Sequence, residues 1–369
     1  MFWNSKENVS EKQVLKVLGE VLDPDLKKDI VSLGFVKNLA VKGGDIQFDV
    51  ELTTPACPVK EELKAECEKK VGALEGVKSV SVNMTANVRK STPQGTAPGR
   101  ISLPGVKNVV AVASGKGGVG KSTVTINLAV ALAQAGAKVG ILDADIYGPS
   151  VPLMMGATEK PMNQDGRIHP VEKNGIKIMS MGFLAKDGQP VIWRGPMVHG
   201  VLQQFLSQVE WGDLDYLLID MPPGTGDAQL TISQTAPLSG AIIVTTPQEV
   251  SLIDARKGLM MFRNVSVPIL GVIENMASFS CPHCKEISHI FRHGGGNRIA
   301  EEMKAPLLGS IPIDPLVADS GDLGAPIVAT HPDSAVGMRY KRLAGDVAAQ
   351  LSVLQAQSGG FQPTSLEWH

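Results

Sequence analysis

Two lysines, Lys116 and Lys121, bracket a glycine-rich run whose residue types suit one task, the holding of a polyphosphate. The run Gly115-Lys116-Gly117-Gly118-Val119-Gly120-Lys121-Ser122-Thr123 fits the pattern GxxxxGK[ST]. In that pattern backbone N–H groups cradle phosphates, the lysine before the hydroxyl residue reaches the β- and γ-phosphates, and the hydroxyl meets Mg²⁺. Lys121 and Ser122 fill those two positions, and Lys116 is surplus to them.

Three aspartates extend the reading to triphosphate chemistry. Asp220 closes the apolar run Tyr216-Leu217-Leu218-Ile219 and leads into Met221-Pro222-Pro223-Gly224, the placement of a Walker-B acid that shares Mg²⁺ with Ser122. Gly224 is expected to offer its N–H to the γ-phosphate. Asp143 and Asp145, one residue apart after Val139-Gly140-Ile141-Leu142, point to similar sides of an extended chain. Phosphoryl transfer is mostly positioning and charge stabilisation, so carboxylates of ordinary acidity suffice. We assign Asp145 to the attacking water and Asp143 to its support.

A second chemistry is carried by Cys281 and Cys284, a CxxC in Ser280-Cys281-Pro282-His283-Cys284. Two thiolates supply half of a four-ligand metal site. Three completions are open. His289 and His293 would make a zinc site, a second copy of the chain would share a [4Fe–4S] cluster across a dimer axis, or the pair would cycle as a redox disulfide.

The elements that must position these groups follow from periodicity. Residues 1–90 read as a small α/β domain: a helix over 11–21, strands over 34–41 and 45–52 joined by a Gly43-Gly44 hairpin turn, a helix over 59–71 and a strand over 77–83. Residues 91–107, rich at first in Pro, Gly, Ser and Thr, read as a linker. From 108 to 356 short apolar strands (109–113, 138–143, 216–221, 241–245, 269–273 and 307–311) alternate with helices. That pattern predicts a doubly wound, mostly parallel sheet with its ligand at the strands' C-terminal ends. Residues 335–354 read as a packed closing helix and 357–369 as a disordered tail.

Lys116 with Lys121, Asp143-Ala144-Asp145 and Asp220-Met221-Pro222-Pro223-Gly224 resemble the deviant-Walker-A ATPases. That superfamily takes in the nitrogenase iron protein and the partition and division-site ATPases. The resemblance implies that Lys116 crosses a homodimer interface to the partner's nucleotide. It also implies that Asn275 and the turn at Pro312 hold adenine. The stretches Trp193-Arg194-Gly195-Pro196-Met197, 211–227, Thr246-Pro247-Gln248-Glu249-Val250-Ser251 and 274–284 are similar to the Mrp/ApbC iron–sulfur carriers. Those ATP- and Mg²⁺-dependent ATPases carry a labile [4Fe–4S] cluster on paired CxxC motifs of a homodimer and pass it to apo-proteins, working beside cluster scaffold proteins. The N-terminal motifs Leu22-Asp23-Pro24-Asp25-Leu26 and Thr53-Thr54-Pro55-Ala56-Cys57-Pro58 resemble a SufT-like iron–sulfur assembly domain, whose cysteine Cys57 matches.

Bulk properties bound the alternatives. With 35 basic and 37 acidic residues in 369, the formal charge of -2 provides no global field for nucleic acid or anionic membrane. The first residues lack a basic stretch followed by an apolar one, and four cysteines are too few for a disulfide scaffold. A cytoplasmic protein with no obligatory nucleic acid or membrane partner is expected. A positioning ATPase of the partition or division-site type would share every nucleotide motif but leave the CxxC unused, and a zinc-stabilised nucleotide switch is the other alternative.

Overall fold

The computed structural model describes residues 9–91, 100–146, 148–184 and 195–357. Residues 92–99 of the expected linker, 358–369 of the expected tail and the Trp193-Arg194 pair lie outside the described residues, and the linker's last two residues open a strand. Contacts divide the chain into two units, Met1–Arg89 with Ala348–His369, and Lys90–Val347.

The first unit runs α1 (Glu11–Leu18), β1 (Val36–Lys42), β2 (Asp45–Leu52), α2 (Lys60–Gly72) and β3 (Ser79–Ala86). Helix α1 starts on a reciprocal capping box between Ser10 and Gln13 and stops at Gly19, shorter than the expected 11–21. Strands β1 and β2 form the hairpin read from the sequence. Gly43 and Gly44 sit at φ 57° and 97°, as a two-residue turn with both central residues left-handed requires. The alternation of β2 turns Ile46, Phe48, Val50 and Leu52 inward. They meet Leu63, Cys67 and Val71, the inward stripe of α2, so Cys67 is core packing.

The second unit continues as β4 (Val106–Ala113), α3 (Lys121–Gln134), β5 (Val139–Asp143), α4 (Val151–Met154), β6 (Met162–Gln164), β7 (Arg167–His169), β8 (Val171–Lys173) and β9 (Ile176–Ser180). After a 3₁₀ turn at Met181–Leu184 come α5 (Gly195–Ser207), β10 (Leu214–Asp220), α6 (Asp227–Thr235), β11 (Gly240–Thr245), α7 (Glu249–Asn264) and β12 (Ile269–Glu274). The chain then forms β13 (Phe279–Ser280), β14 (Ile287–Ser288), α8 (Gly295–Glu302), β15 (Leu307–Ser310), α9 (Pro315–Asp322), α10 (Ile327–Thr330) and α11 (Ala335–Gln357), whose residues from Ala348 onward are grouped with the first unit.

Eight strands pair in the order β15-β12-β11-β4-β10-β5-β9-β8, and only β8 runs antiparallel to its neighbour. The chain leaves β4 for β5 and β9 on one side, returns through β10, then crosses to β11, β12 and β15 on the other. Ligands of such sheets bind beyond the carboxyl ends of the strands near that reversal. The register brings the chemistry to that edge: Asp220 pairs with Val112 and Asp143, and Asp143 with Ser180. The nearly continuous apolar strands are covered by a core that includes Leu217, Ile219, Ile243, Leu259 and Phe262. Helix α11 is packed rather than laid on a lipid surface, with Val336, Tyr340, Leu343 and Val347 buried. No described helix is long and apolar enough to cross a membrane.

Candidate functional site

The phosphate loop spans the gap between β4 and α3. Gly118 and Gly120 hold φ of 80° and 83°, conformations that only glycine adopts without strain. No side chain caps α3, so the N-terminal end of that helix is left for an anion. Two neighbours hold the loop closely. A Cβ on Gly115 would lie 2.2 Å from the Asp254 carbonyl on α7, and one on Gly120 would lie 2.2 Å from Nδ2 of Asn275. Gly117 and Gly118 face open space, and Lys116 is exposed.

Asp220, wholly buried, is the acceptor at the centre of the site. Its Oδ1 receives Lys121 Nζ at 2.7 Å and Thr125 Oγ1 at 3.0 Å, and its Oδ2 receives Ser122 Oγ at 2.6 Å. A buried charge needs such pairing, and here all three donors come from the first five residues of α3. Asp145 Oδ2 stands 3.8 Å from Lys121 Nζ, and its Oδ1 accepts the Gly148 N–H. Asp143 is buried and accepts Ser180 Oγ at 2.8 Å and the N–H groups of Asp145 and Val151. Burial and then the charge of Asp220 push the Asp143 carboxyl above the ordinary carboxylate range. Its donors leave it occupied with bracing the 143–151 turn.

Two expected nucleotide contacts are engaged elsewhere in this structure. The Gly224 N–H donates to Ser114 O at 3.0 Å instead of facing a phosphate. The Asn275 amide, 6 % exposed, donates to Val119 O at 2.8 Å and so braces the phosphate loop. Pro312 lies half-buried between two backbone bonds, Ile311 N–H to Glu274 O and Ile313 N–H to Ser278 O. Thr125, Ser180 and Gln229 join the site without having been singled out in the sequence. A hydroxyl one turn after Lys121, between Val124 and Ile126, is the available signal for the first.

Cys281 and Cys284 sit at the tip of the short antiparallel pair β13 and β14, closed by Cys281 N–H to Glu286 O and Lys285 N–H to Cys281 O. The backbone N–H groups of Cys284 and His283, with the Cys284 side chain, hold the Cys281 thiol below its ordinary value. Donors aimed at a sulfur favour thiolate, the form that ligates metal. Among the described residues no three His, Cys, Asp or Glu side chains gather as a metal site. His289 and His293 pack ring against ring at 4.5 Å, His289 Nδ1 contacts Ala277 O, and among the described residues the two rings are not gathered with both cysteines in one site. Cys57 and Cys67 differ in kind, since burial pushes their thiols up to about 11 and about 12.

Residues 105–348 match the model of the family described as the NUBPL iron-transfer P-loop NTPase. The chain belongs to that family. Residues 11–84 match a second family, described as the iron-sulfur cluster assembly protein. The iron-sulfur cluster carrier protein of Synechocystis sp. is 49% identical over 346 residues, covering 92% of this chain and 97% of that one. Its Escherichia coli namesake is 43% identical over 342 residues, covering 92% and 91%. A solved nucleotide-binding protein from Archaeoglobus fulgidus, in complex with ADP, aligns with a TM-score of 0.54 and 44% identity over 60% of this chain and 88% of that one. Membership of this P-loop NTPase family and the doubly wound sheet agree with the expected fold, and the N-terminal match agrees with the expected iron–sulfur assembly domain.

Proposed function

We propose that the protein is an ATP-hydrolysing iron–sulfur cluster carrier. In it two copies of the chain pair, present Cys281 and Cys284 to one [4Fe–4S] cluster as cargo, and pass it to apo-proteins. The observation that carries this reading is the hairpin tip, where a half-buried Cys281 and an exposed Cys284 lie one turn apart with backbone N–H groups aimed at Cys281. Two thiolates per chain make a site that needs a second chain and empties more readily than four thiolates in one pocket. The names of the curated relatives support the cargo.

On the nucleotide side, the loop Gly115–Thr123 holds the phosphates and Lys121 leaves Asp220 to meet them. Ser122 Oγ and Asp220 Oδ2, 2.6 Å apart, are the hard oxygen ligands that would hold Mg²⁺, which neutralises phosphate charge when bound. Asp145 orients the attacking water and Asp143 fixes the turn that carries it. Lys116, exposed and unneeded in its own site, reaches the nucleotide of the paired copy. The cluster cannot be filled by one chain, so dimerisation and loading are linked.

Anaerobic reconstitution with iron and sulfide tests the reading. The wild type is expected to give a cluster absorbance with about four irons per two chains, and Cys281→Ala to lose it while still binding ATP. A cluster equally strong in Cys281→Ala overturns the bridging site.

A further inference from the structure

Gln229, on the first turn of α6, is 1 % exposed and spends its amide entirely on the nucleotide edge of the sheet. Its Nε2 donates to Pro222 O at 2.5 Å and lies 3.4 Å from Ser114 O. Its Oε1 is buried and has no donor among the described residues. The orientation of the amide is fixed by those partners, since turning it over would set its oxygen against two carbonyls. Ser114 O, at the start of the phosphate loop, thus receives two donors from the segment after Asp220: the Gly224 N–H at 3.0 Å and, more distantly, Gln229.

We infer that Gln229 is the positioning residue that lets the Pro222–Gly226 loop change partners when a γ-phosphate arrives. The inference rests on the reading of the loop as an ATP site. For the Gly224 N–H to meet a γ-phosphate oxygen it must leave Ser114 O. Ser114 is buried, and a carbonyl abandoned there carries the full cost of its desolvation. Gln229 Nε2 is the donor already within reach, held close by its bond to Pro222 O, and a small shift brings it onto Ser114 O. Gly224 has φ 94° and open space where a Cβ would stand. Oε1, buried without a donor among the described residues, would gain from any N–H that the moving loop brings to it. A diphosphate makes no such demand, as Gly224 stays on Ser114. Gln229 therefore acts on triphosphate recognition and turnover and not on nucleotide binding as such.

The test uses the full chain, with Gln229→Met and Gln229→Leu, two side chains of different shape that lack the donor. Affinities for ADP and for a non-hydrolysable ATP analogue are measured by titration, and kcat and KM for ATP from steady-state hydrolysis. ADP binding is expected to stay within about threefold, while analogue affinity and kcat fall about tenfold, the equivalent of one orphaned buried acceptor. An unchanged ratio of analogue to ADP affinity in a folded variant overturns the inference and leaves the ATP site standing. A wild type that binds neither nucleotide overturns the ATP reading and the inference with it. If both variants fail to fold, hydrogen exchange on the wild type decides. The Gly224 amide is expected to change protection between ADP and the analogue, and equal protection overturns the inference.

Discussion

Replacing Asp220 by alanine removes one acceptor shared by three donors, Lys121 Nζ, Ser122 Oγ and Thr125 Oγ1. Two effects oppose each other. Lys121, 6 % exposed, loses the carboxylate 2.7 Å away, and breaking a buried pair by deleting one partner costs about 3–5 kcal/mol. Removing the Asp220 charge also relieves Asp143, whose carboxyl it pushes up. The first effect wins. The lysine is left with Asp145 at 3.8 Å as its nearest carboxylate, whereas Asp143 already has Ser180 and two backbone N–H groups. The offset places the net loss near the lower end, about 3 kcal/mol.

For a unit of this size about 1 kcal/mol moves the melting temperature by roughly 2–4 °C, so nucleotide-free Asp220→Ala should melt about 6–12 °C below wild type. A triphosphate that takes over Lys121 should narrow the gap, because the ligand supplies the missing negative charge. Asp220→Asn, which keeps an acceptor for Ser122 or Thr125, should fall between. Thermal melts with and without ATP read all three. An Asp220→Ala protein that melts within about 2 °C of wild type without nucleotide refutes the claim that this ion pair holds the empty site together.

Gly120→Ala forces a left-handed φ of 83° and a Cβ into the Asn275 amide, at a combined cost of about 2–3 kcal/mol from backbone strain and the lost bond to Val119 O. Gly117→Ala meets open space at an ordinary φ, so comparable melting temperatures for the two variants would contradict this account. Alkylation with iodoacetamide should follow the thiol environments. Cys281, held below its ordinary value, is thiolate at lower pH than Cys57 and Cys67, raised by burial to about 11 and about 12. Mass spectrometry across pH 6–9 should find Cys281 labelled first and Cys67 last, and the ordering fails if Cys57 reacts before Cys281.

What was legible in the sequence was local. The alternation of Asp45–Leu52 gave the inward face of β2, and the apolar runs ending in Asp143 and Asp220 marked two strands and the edge at which both carboxylates stand. Strands β8 and β9 went unread because Val171–Lys173 is only three residues long and the lysines around it mask the alternation of Ile176–Ser180 at the sheet's margin. Ser180 went with them, although its hydroxyl fixes Asp143. Thr125 and Gln229 were hidden for a different reason. Their partners, Asp220 and Ser114, are 95 and 115 residues away, and only the strand order brings them together.

The same strand order bears on how nucleotide and cysteines are joined. The end of β12 carries Glu274 and Asn275, and the next turn opens the hairpin that presents Cys281 and Cys284. Asn275 grips the phosphate loop at Val119 O, while Glu274 takes the Gly296 N–H at 2.7 Å and Ser310 Oγ at 3.2 Å, fixing the far end of the same segment. Ala277 O contacts His289 from within it. The stretch from 276 to 294 is therefore a loop whose two roots are both tied to Glu274 and Asn275, one residue from the other. Were nucleotide to shift the phosphate loop at Val119, the Asn275 side chain would be one route to the root of the cysteine hairpin, which backbone bonds to Thr245 and Ile311 also anchor. Asn275→Ala should accordingly separate the two sites, leaving Cys281 labelling rates the same with and without ATP, whereas in the wild type they differ. A nucleotide-dependent labelling rate that survives in Asn275→Ala would mean the coupling does not run through this side chain.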